Sequence, residues 1–172
     1  MKHLTTLALA ALVTLAGACG GSAEENAQAQ PRSDLPERFF LADAPAGAID
    51  VGAAHASAQD GESVVVRGAV GGSAKPFVEG LAAFTIVDPA LASCVDDGMG
   101  CTTPWDYCCE DPGAVASKSA TIELREGDAP LAASPRGFHG LDHLVTVLVQ
   151  GTARRDAQGN LTIVATGLHP LP

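Results

Sequence analysis

The sequence predicts an all-β domain, a five-stranded barrel with one or two short helices and a long cysteine-rich loop between its second and third strands. Three observations predict it. β-Branched and apolar residues recur with a period of two in separate runs, glycine-bearing turns divide the runs, and four of the five cysteines fall in one acidic segment between two of them. Alternation of this kind sends successive side chains to opposite faces, so one face of each run can enter a core while the other meets water.

Taken in chain order, Asp50 is placed to cap a short helix over residues 51–59, with Val51, Ala54 and Ala58 on the face turned to the barrel. The first strand is Ser63-Val64-Val65-Val66-Arg67-Gly68-Ala69-Val70, ended by Gly71-Gly72. The second covers residues 81–88 and stops at Pro89, which cannot donate to a ladder. In the third, residues 120–125, Ala120, Ile122 and Leu124 share the buried face, leaving Thr121, Glu123 and Arg125 in water. The fourth and fifth, residues 144–154 and 161–166, flank the hairpin loop Asp156-Ala157-Gln158-Gly159-Asn160. Gly68 and Gly151 fall inside strands, where a small barrel must bend sharply. A two-sheet sandwich would satisfy the same alternation and stands as the alternative architecture.

The order of elements carries a resemblance. A short helix precedes V-x-V-x-G-x-V (Val64, Val66, Gly68, Val70) and a strand ending F-x-I-x-D (Phe84, Ile86, Asp88). A third alternating strand, V-x-V-x-G (Val147, Val149, Gly151) and a last strand after a Gly-Asn turn follow. Together they resemble the exported bacterial OB-fold domains and the tRNA-anticodon-binding-like OB domains over residues 49–168. The resemblance implies the barrel, and by fold analogy a surface that recognises an oligosaccharide or peptide. Family members that bind oligonucleotides present aromatic platforms and basic grooves, whereas this chain has only five Phe, one Trp and one Tyr.

The N-terminus supplies an address. Met1-Lys2-His3 and the apolar run from Leu4 to Ala18 read as a signal peptide, too short for a comfortable permanent span. The run closes on Leu15-Ala16-Gly17-Ala18-Cys19-Gly20, which resembles the bacterial lipoprotein signal, where the cysteine receives the lipid and becomes the new N-terminus. That family has a larger aliphatic residue where Ala16 stands, so ordinary cleavage after Ala18, giving a soluble secreted protein with Cys19 as a free thiol, is the alternative. The expected organisation is a signal peptide over 1–18, lipid on Cys19, a flexible tether over 19–36 and an OB-like domain over 37–172 with a Cys-rich insert over 89–118. The expected place is the cell envelope, facing the periplasm or exterior and held to the membrane through the lipid.

Charge narrows the partners. Loss of Lys2 with the signal leaves nine basic against twenty acidic residues, a net charge of −11. Binding a nucleic-acid backbone displaces counterions with Lys and Arg, and the largest basic cluster here is Arg154-Arg155. No nucleic acid is expected as a partner; an envelope protein or a small ligand is.

The cysteines Cys94-x6-Cys101-x6-Cys108-Cys109 carry the chemistry. In an oxidising compartment four such cysteines form two disulfides, with Cys94 and Cys101 each joined to one of the adjacent pair, and each bridge stabilises by about 2–4 kcal/mol. The second reading is a site of four thiolates for zinc or another thiophilic metal, with Asp96, Asp97, Asp106, Glu110 and Asp111 adding charge that favours a cation. The spacing lacks the C-x2-C knuckle usual in zinc sites. Reactive thiols are the third reading, disfavoured because acidic neighbours raise thiol pKa values. Trp105 and Tyr107, beside Asp106, are expected to plug the loop onto the barrel.

His139 and His143, spaced i, i+4 with Asp142 between, form a second candidate metal pair if a helix joins the third and fourth strands. Pro135, Gly137 and Gly140 argue against that helix, and exposed loop histidines are the alternative. His55 and His169 read as surface residues. The chain has no G-x-S-x-G elbow, no H-E-x-x-H and no phosphate loop. The expectation is a non-enzymatic exported lipoprotein, an OB-like binding or envelope-interaction module with a disulfide-stapled insert. The alternative is an envelope metal-binding or redox protein built on Cys94, Cys101, Cys108 and Cys109.

Overall fold

A computed structural model describes residues 32–96, 98 and 100–172. The expected signal peptide, Cys19 and the first part of the tether lie outside the described residues, as do Asp97 and Met99. None of the described helices is long and apolar enough to cross a membrane.

The chain folds as β1 (Ile49–Asp50), α1 (Val51–Ser57), β2 (Ser63–Val70), β3 (Ala83–Val87), α2 (Pro112–Ser117), β4 (Ser119–Glu126), β5 (Ala129–Pro130), β6 (Thr146–Arg155) and β7 (Leu161–Pro170), with 3-10 turns at Glu37–Phe39 and Phe138–Gly140. Five strands close the barrel in the order β2-β3-β4-β7-β6, and β6 returns to β2. All its pairings are antiparallel except β4 with β7, which run parallel. The all-β, OB-like barrel expected from the sequence is the fold, and closure around all five strands excludes the two-sheet sandwich.

β2 has two neighbours along its length. It pairs with β6 over residues 63–69, while its end, Ala69 and Val70, also pairs with β3. Sharing of this kind demands a strong bend. At Gly68 a Cβ would meet Ile86 and the Val87 carbonyl, and at Gly151, beside a register shift in the β6–β7 ladder, it would run into the Val164 carbonyl.

The inward faces of the strands form one core that includes Val66, Phe84, Ile86, Ile122, Leu124, Val147, Val149 and Ile163. β4 shows the expected alternation, with Ala120, Ile122 and Leu124 buried and Thr121, Glu123 and Arg125 half-buried. α1 adds Val51 and Ala54 to that core, and Ala58, the residue that ends the helix, joins them, as expected. Its cap differs from the expectation. The Asp50 side chain goes to Arg67 at 2.6 Å, and the free N–H of Gly52 is taken by Asp88 Oδ2 at 2.9 Å. Arg155 closes the other end of α1, donating to the carbonyls of Ala58 and His55. The described domain also reaches further upstream than residue 37: Leu35 is buried, Ser33 donates to the Ser134 carbonyl, and Asp34 accepts from the Ser134 N–H.

Candidate functional site

The cysteine loop is built by hydrogen bonds before any thiol chemistry is considered. Cys94 N–H donates to the Asp106 carbonyl (2.9 Å) and Val95 N–H to the Pro104 carbonyl (3.1 Å), laying the start of the loop against its return. Asp96 Oδ2 accepts from the N–H and hydroxyl of Ser93, Glu110 Oε1 accepts from Ala92 N–H, and Asp111 Oδ1 caps α2 through Ala114 N–H. Three of the carboxylates that the sequence offers as cation-attracting charge, Asp96, Glu110 and Asp111, are therefore also struts of the loop. α2, with Asp111 before it and Pro112 in its first turn, is a helix inside the insert over 89–118, for which the sequence predicts a loop.

Two aromatic side chains fix the loop to the barrel, as expected. Tyr107, 6% exposed, packs with Val87 and Leu91 and against Ala69 and Val115 in a small cluster separate from the main core. Its approach depends on Gly71, where a Cβ would come within 2.7 Å of the Tyr107 ring and 3.1 Å of the Trp105 carbonyl. Trp105 stacks on His143 with ring centroids 4.0 Å apart and planes 7° from parallel, and its indole N–H donates to the Ala74 carbonyl. Phe77 meets the same imidazole edge-on at 5.5 Å.

The docked loop brings its thiols together. The Sγ atoms of Cys94, Cys108 and Cys109 all lie within 4.8 Å of one another, close enough to bind one metal ion. The nearest two, Cys94 and Cys108, are 3.3 Å apart, and all four residues, Cys101 included, are free thiols. Cys94 is buried at 2% exposure, whereas Cys108 and Cys109 are exposed and Cys101 is half-buried. A cleft of about 410 Å³ beside the cluster is lined by Gly72, Asp106, Tyr107, Cys108, Glu110 and Val115, among others.

The thiols perturb one another. Hydrogen bonding from Cys108 above all, with help from Cys101 and Cys109, holds the Cys94 thiol below its usual pKa against the opposing effect of burial. Cys101 is pushed up to about 12, first by its hydrogen bond with Cys94 and then by burial. Cys109 is pushed up to about 11 by its hydrogen bond with Cys108 and by burial. The upward shifts at Cys101 and Cys109 have thiol neighbours as their first cause and burial as their second, and not the acidic neighbours expected from the sequence. Tyr107 is pushed up to about 12 by burial, with the charges of Asp96, Cys94 and Glu110 adding to it.

The histidine pair has different partners. His139 takes a left-handed conformation (φ 44°), as does Leu144 (φ 63°), and the segment forms a single 3-10 turn, so no shared helical face arises. The His139 ring stacks on Phe40 at 3.6 Å, and its Nε2 lies 2.7 Å from Glu37. His143 is the socket for Trp105, and Asp142, expected as an outer partner, accepts from Arg136 and from the His143 N–H. His55 and His169 are half-buried; His169 Nδ1 is 2.7 Å from the Leu41 carbonyl.

No family model and no curated protein matches the chain. Among solved structures it is similar to the hypothetical protein ygiW from E. coli, at 13% identity and a TM-score of 0.40, over 74% of this chain and 94% of that one. It is also similar to a putative aspartyl-tRNA synthetase from Leishmania major Friedlin, at 13% identity and a TM-score of 0.39, over 72% of this chain and 20% of that one. A DUF3299 family protein from Pseudomonas aeruginosa PAO1 matches at 12% identity and a TM-score of 0.34, over 66% of this chain and 63% of that one. The chain therefore spans a fifth of the synthetase and under two thirds of the DUF3299 protein, and its OB-like character rests on its own strand order and closure.

Proposed function

We propose that the protein is an exported, lipid-anchored envelope module whose OB-like barrel displays a thiolate metal centre made by Cys94, Cys101, Cys108 and Cys109. The observation that carries this reading is the convergence of the Cys94, Cys108 and Cys109 sulfurs within 4.8 Å. Four sulfurs about 2.3 Å from a zinc ion lie roughly 3.8 Å from one another in a tetrahedron, so little movement closes the site around a metal. Cys109 is near both Cys94 and Cys108, an arrangement that meets at one point instead of dividing into pairs. Cys101, half-buried in the same loop and outside the converging trio, is the fourth ligand in this reading and has to move in to join it. The apolar run ending at Cys19 supports the anchor, and the net charge of −10 over the whole chain supports attraction of a cation.

The disulfide staple remains the second reading, favoured by the 3.3 Å approach of Cys94 to Cys108, one bond of the expected connectivity. Native and denaturing mass spectrometry of the protein recovered from its envelope separates the two. A full-hydrogen denatured mass with a metal-sized native adduct is the result expected; a denatured mass short by about four hydrogens and no adduct overturns the metal reading in favour of two bridges.

A further inference from the structure

Structural zinc sites are closed and supply the folding energy of the segment they hold, so metal and fold are lost together. The cysteine cluster here has the opposite construction. The barrel has its own core, from Val66 through Leu168, and the loop rests on it through Tyr107 in a separate small cluster. The loop is held by backbone pairing of Cys94 with Asp106 and Val95 with Pro104, by Glu110 on Ala92 N–H and by Trp105 on His143, none of which needs an ion. Burial across the cluster is one-sided: Cys94 is buried against the loop, Cys108 and Cys109 face outward, and Cys108 lines the open cleft. Asp106 and Glu110 line the same cleft and raise the local concentration of cations at its mouth.

We infer that the ion is cargo: resting on the metal reading above, the site takes up and gives up a thiophilic d10 ion by thiolate exchange on its exposed side, at Cys108 and Cys109, while the barrel stays folded with or without it. In the exchange an incoming thiol from a partner protein or a small-molecule thiol loses its proton and bonds to the ion as the ion–Cys109 bond breaks. Cys109 takes up that proton, and the oxidation state of the ion and its number of thiolates are unchanged. Cys94, buried while Cys108 and Cys109 are exposed, is the ligand that an incoming thiol reaches last.

The test loads the full-length reduced protein with Zn(II) under anaerobic conditions and follows transfer of zinc to a chromogenic chelator, with and without millimolar glutathione. Far-UV circular dichroism and denaturant unfolding are recorded for the apo and loaded forms. Transfer complete within minutes, accelerated at least tenfold by glutathione and in proportion to its concentration, is expected, with the barrel spectrum and unfolding midpoint unchanged. Zinc retained for hours against excess chelator, transfer insensitive to thiol, or a barrel that unfolds as zinc leaves would overturn the inference while leaving the metal centre standing. No zinc bound at all overturns both. Cys94→Ser is expected to abolish loading, whereas Cys109→Ser is expected to retain loading with at least tenfold weaker affinity and to lose the acceleration by glutathione.

Discussion

The indole of Trp105 lies flat on the imidazole of His143, 4.0 Å between ring centres, and so joins the cysteine loop to the segment that leads into β6. Burial first, and the nearby Arg136 second, hold His143 below the usual imidazole value, with Asp142 opposing them. Asp142 itself is pushed up by burial but drawn below its usual value overall by Arg136 and the His143 N–H. A base whose folded pKa is depressed binds fewer protons folded than unfolded. The docking it supports is complete above about 6.5 and weakens as pH falls towards the folded value. Trp105 is the only tryptophan, so its fluorescence should change over that interval, and His143→Phe, which keeps a ring under the indole, should flatten the response.

Loading of the thiol cluster should release protons and depend on pH, where a site of pre-ionised thiolates would show little of either. Cys101 at about 12 and Cys109 at about 11 are protonated at neutral pH and must lose their protons to bind a metal. Zinc binding to the reduced protein is expected to release about three to four protons per ion and to tighten as pH rises. Calorimetry in buffers of different ionisation enthalpy measures the number.

Gly71 sets how closely the loop can sit. The extra methyl of Gly71→Ala would lie 2.7 Å from the Tyr107 ring, an overpacking worth about 1–3 kcal/mol that the small cluster around Tyr107 has to absorb. Loop docking, read from Trp105 fluorescence, should loosen while the far-UV spectrum of the barrel is kept.

Asp88 ties the end of β3 to two turns at once, accepting from Gly52 N–H with Oδ2 and from Ala90 N–H with Oδ1. Asp88 is itself 7% exposed, and Asp88→Ala takes its carboxylate from the half-buried Gly52 N–H as well as from Ala90; the loss is expected to cost about 1–3 kcal/mol by urea unfolding. Asp50→Ala, which only breaks the exposed pair with Arg67, should cost under about 1 kcal/mol.

The barrel was legible because period-two runs report directly on which face is buried: β2 has the bounds Ser63–Val70 expected of it, and β4 differs by one residue at each end. β7 outran its expected end at Thr166, since Gly167 to Pro170 continue the ladder with β6 without an alternating apolar pattern. α2 had a readable signal in Asp111-Pro112, masked by the absence of any large apolar face beyond Val115. The cap on α1 was misassigned because Asp88 is a neighbour only in three dimensions. That the thiols meet is expected from the sequence on either reading, as bridges or as a metal site, and Cys94, Cys108 and Cys109 do meet; the folding that brings them together is not legible there. A six-residue spacing is no metal knuckle, and only the pairing of Cys94 with Asp106 brings Cys94 over Cys108.

The parallel pairing of β4 with β7 has a consequence in time. A chain made from its N-terminus presents Cys94 to Cys109 before His143 exists to seat Trp105, and before Leu161–Pro170 arrives to seal the barrel. At about 5–20 residues per second the thiols precede the last strand by several seconds. During that interval the thiols belong to an open chain, because the strand whose parallel pairing with β4 seals the barrel has yet to be made.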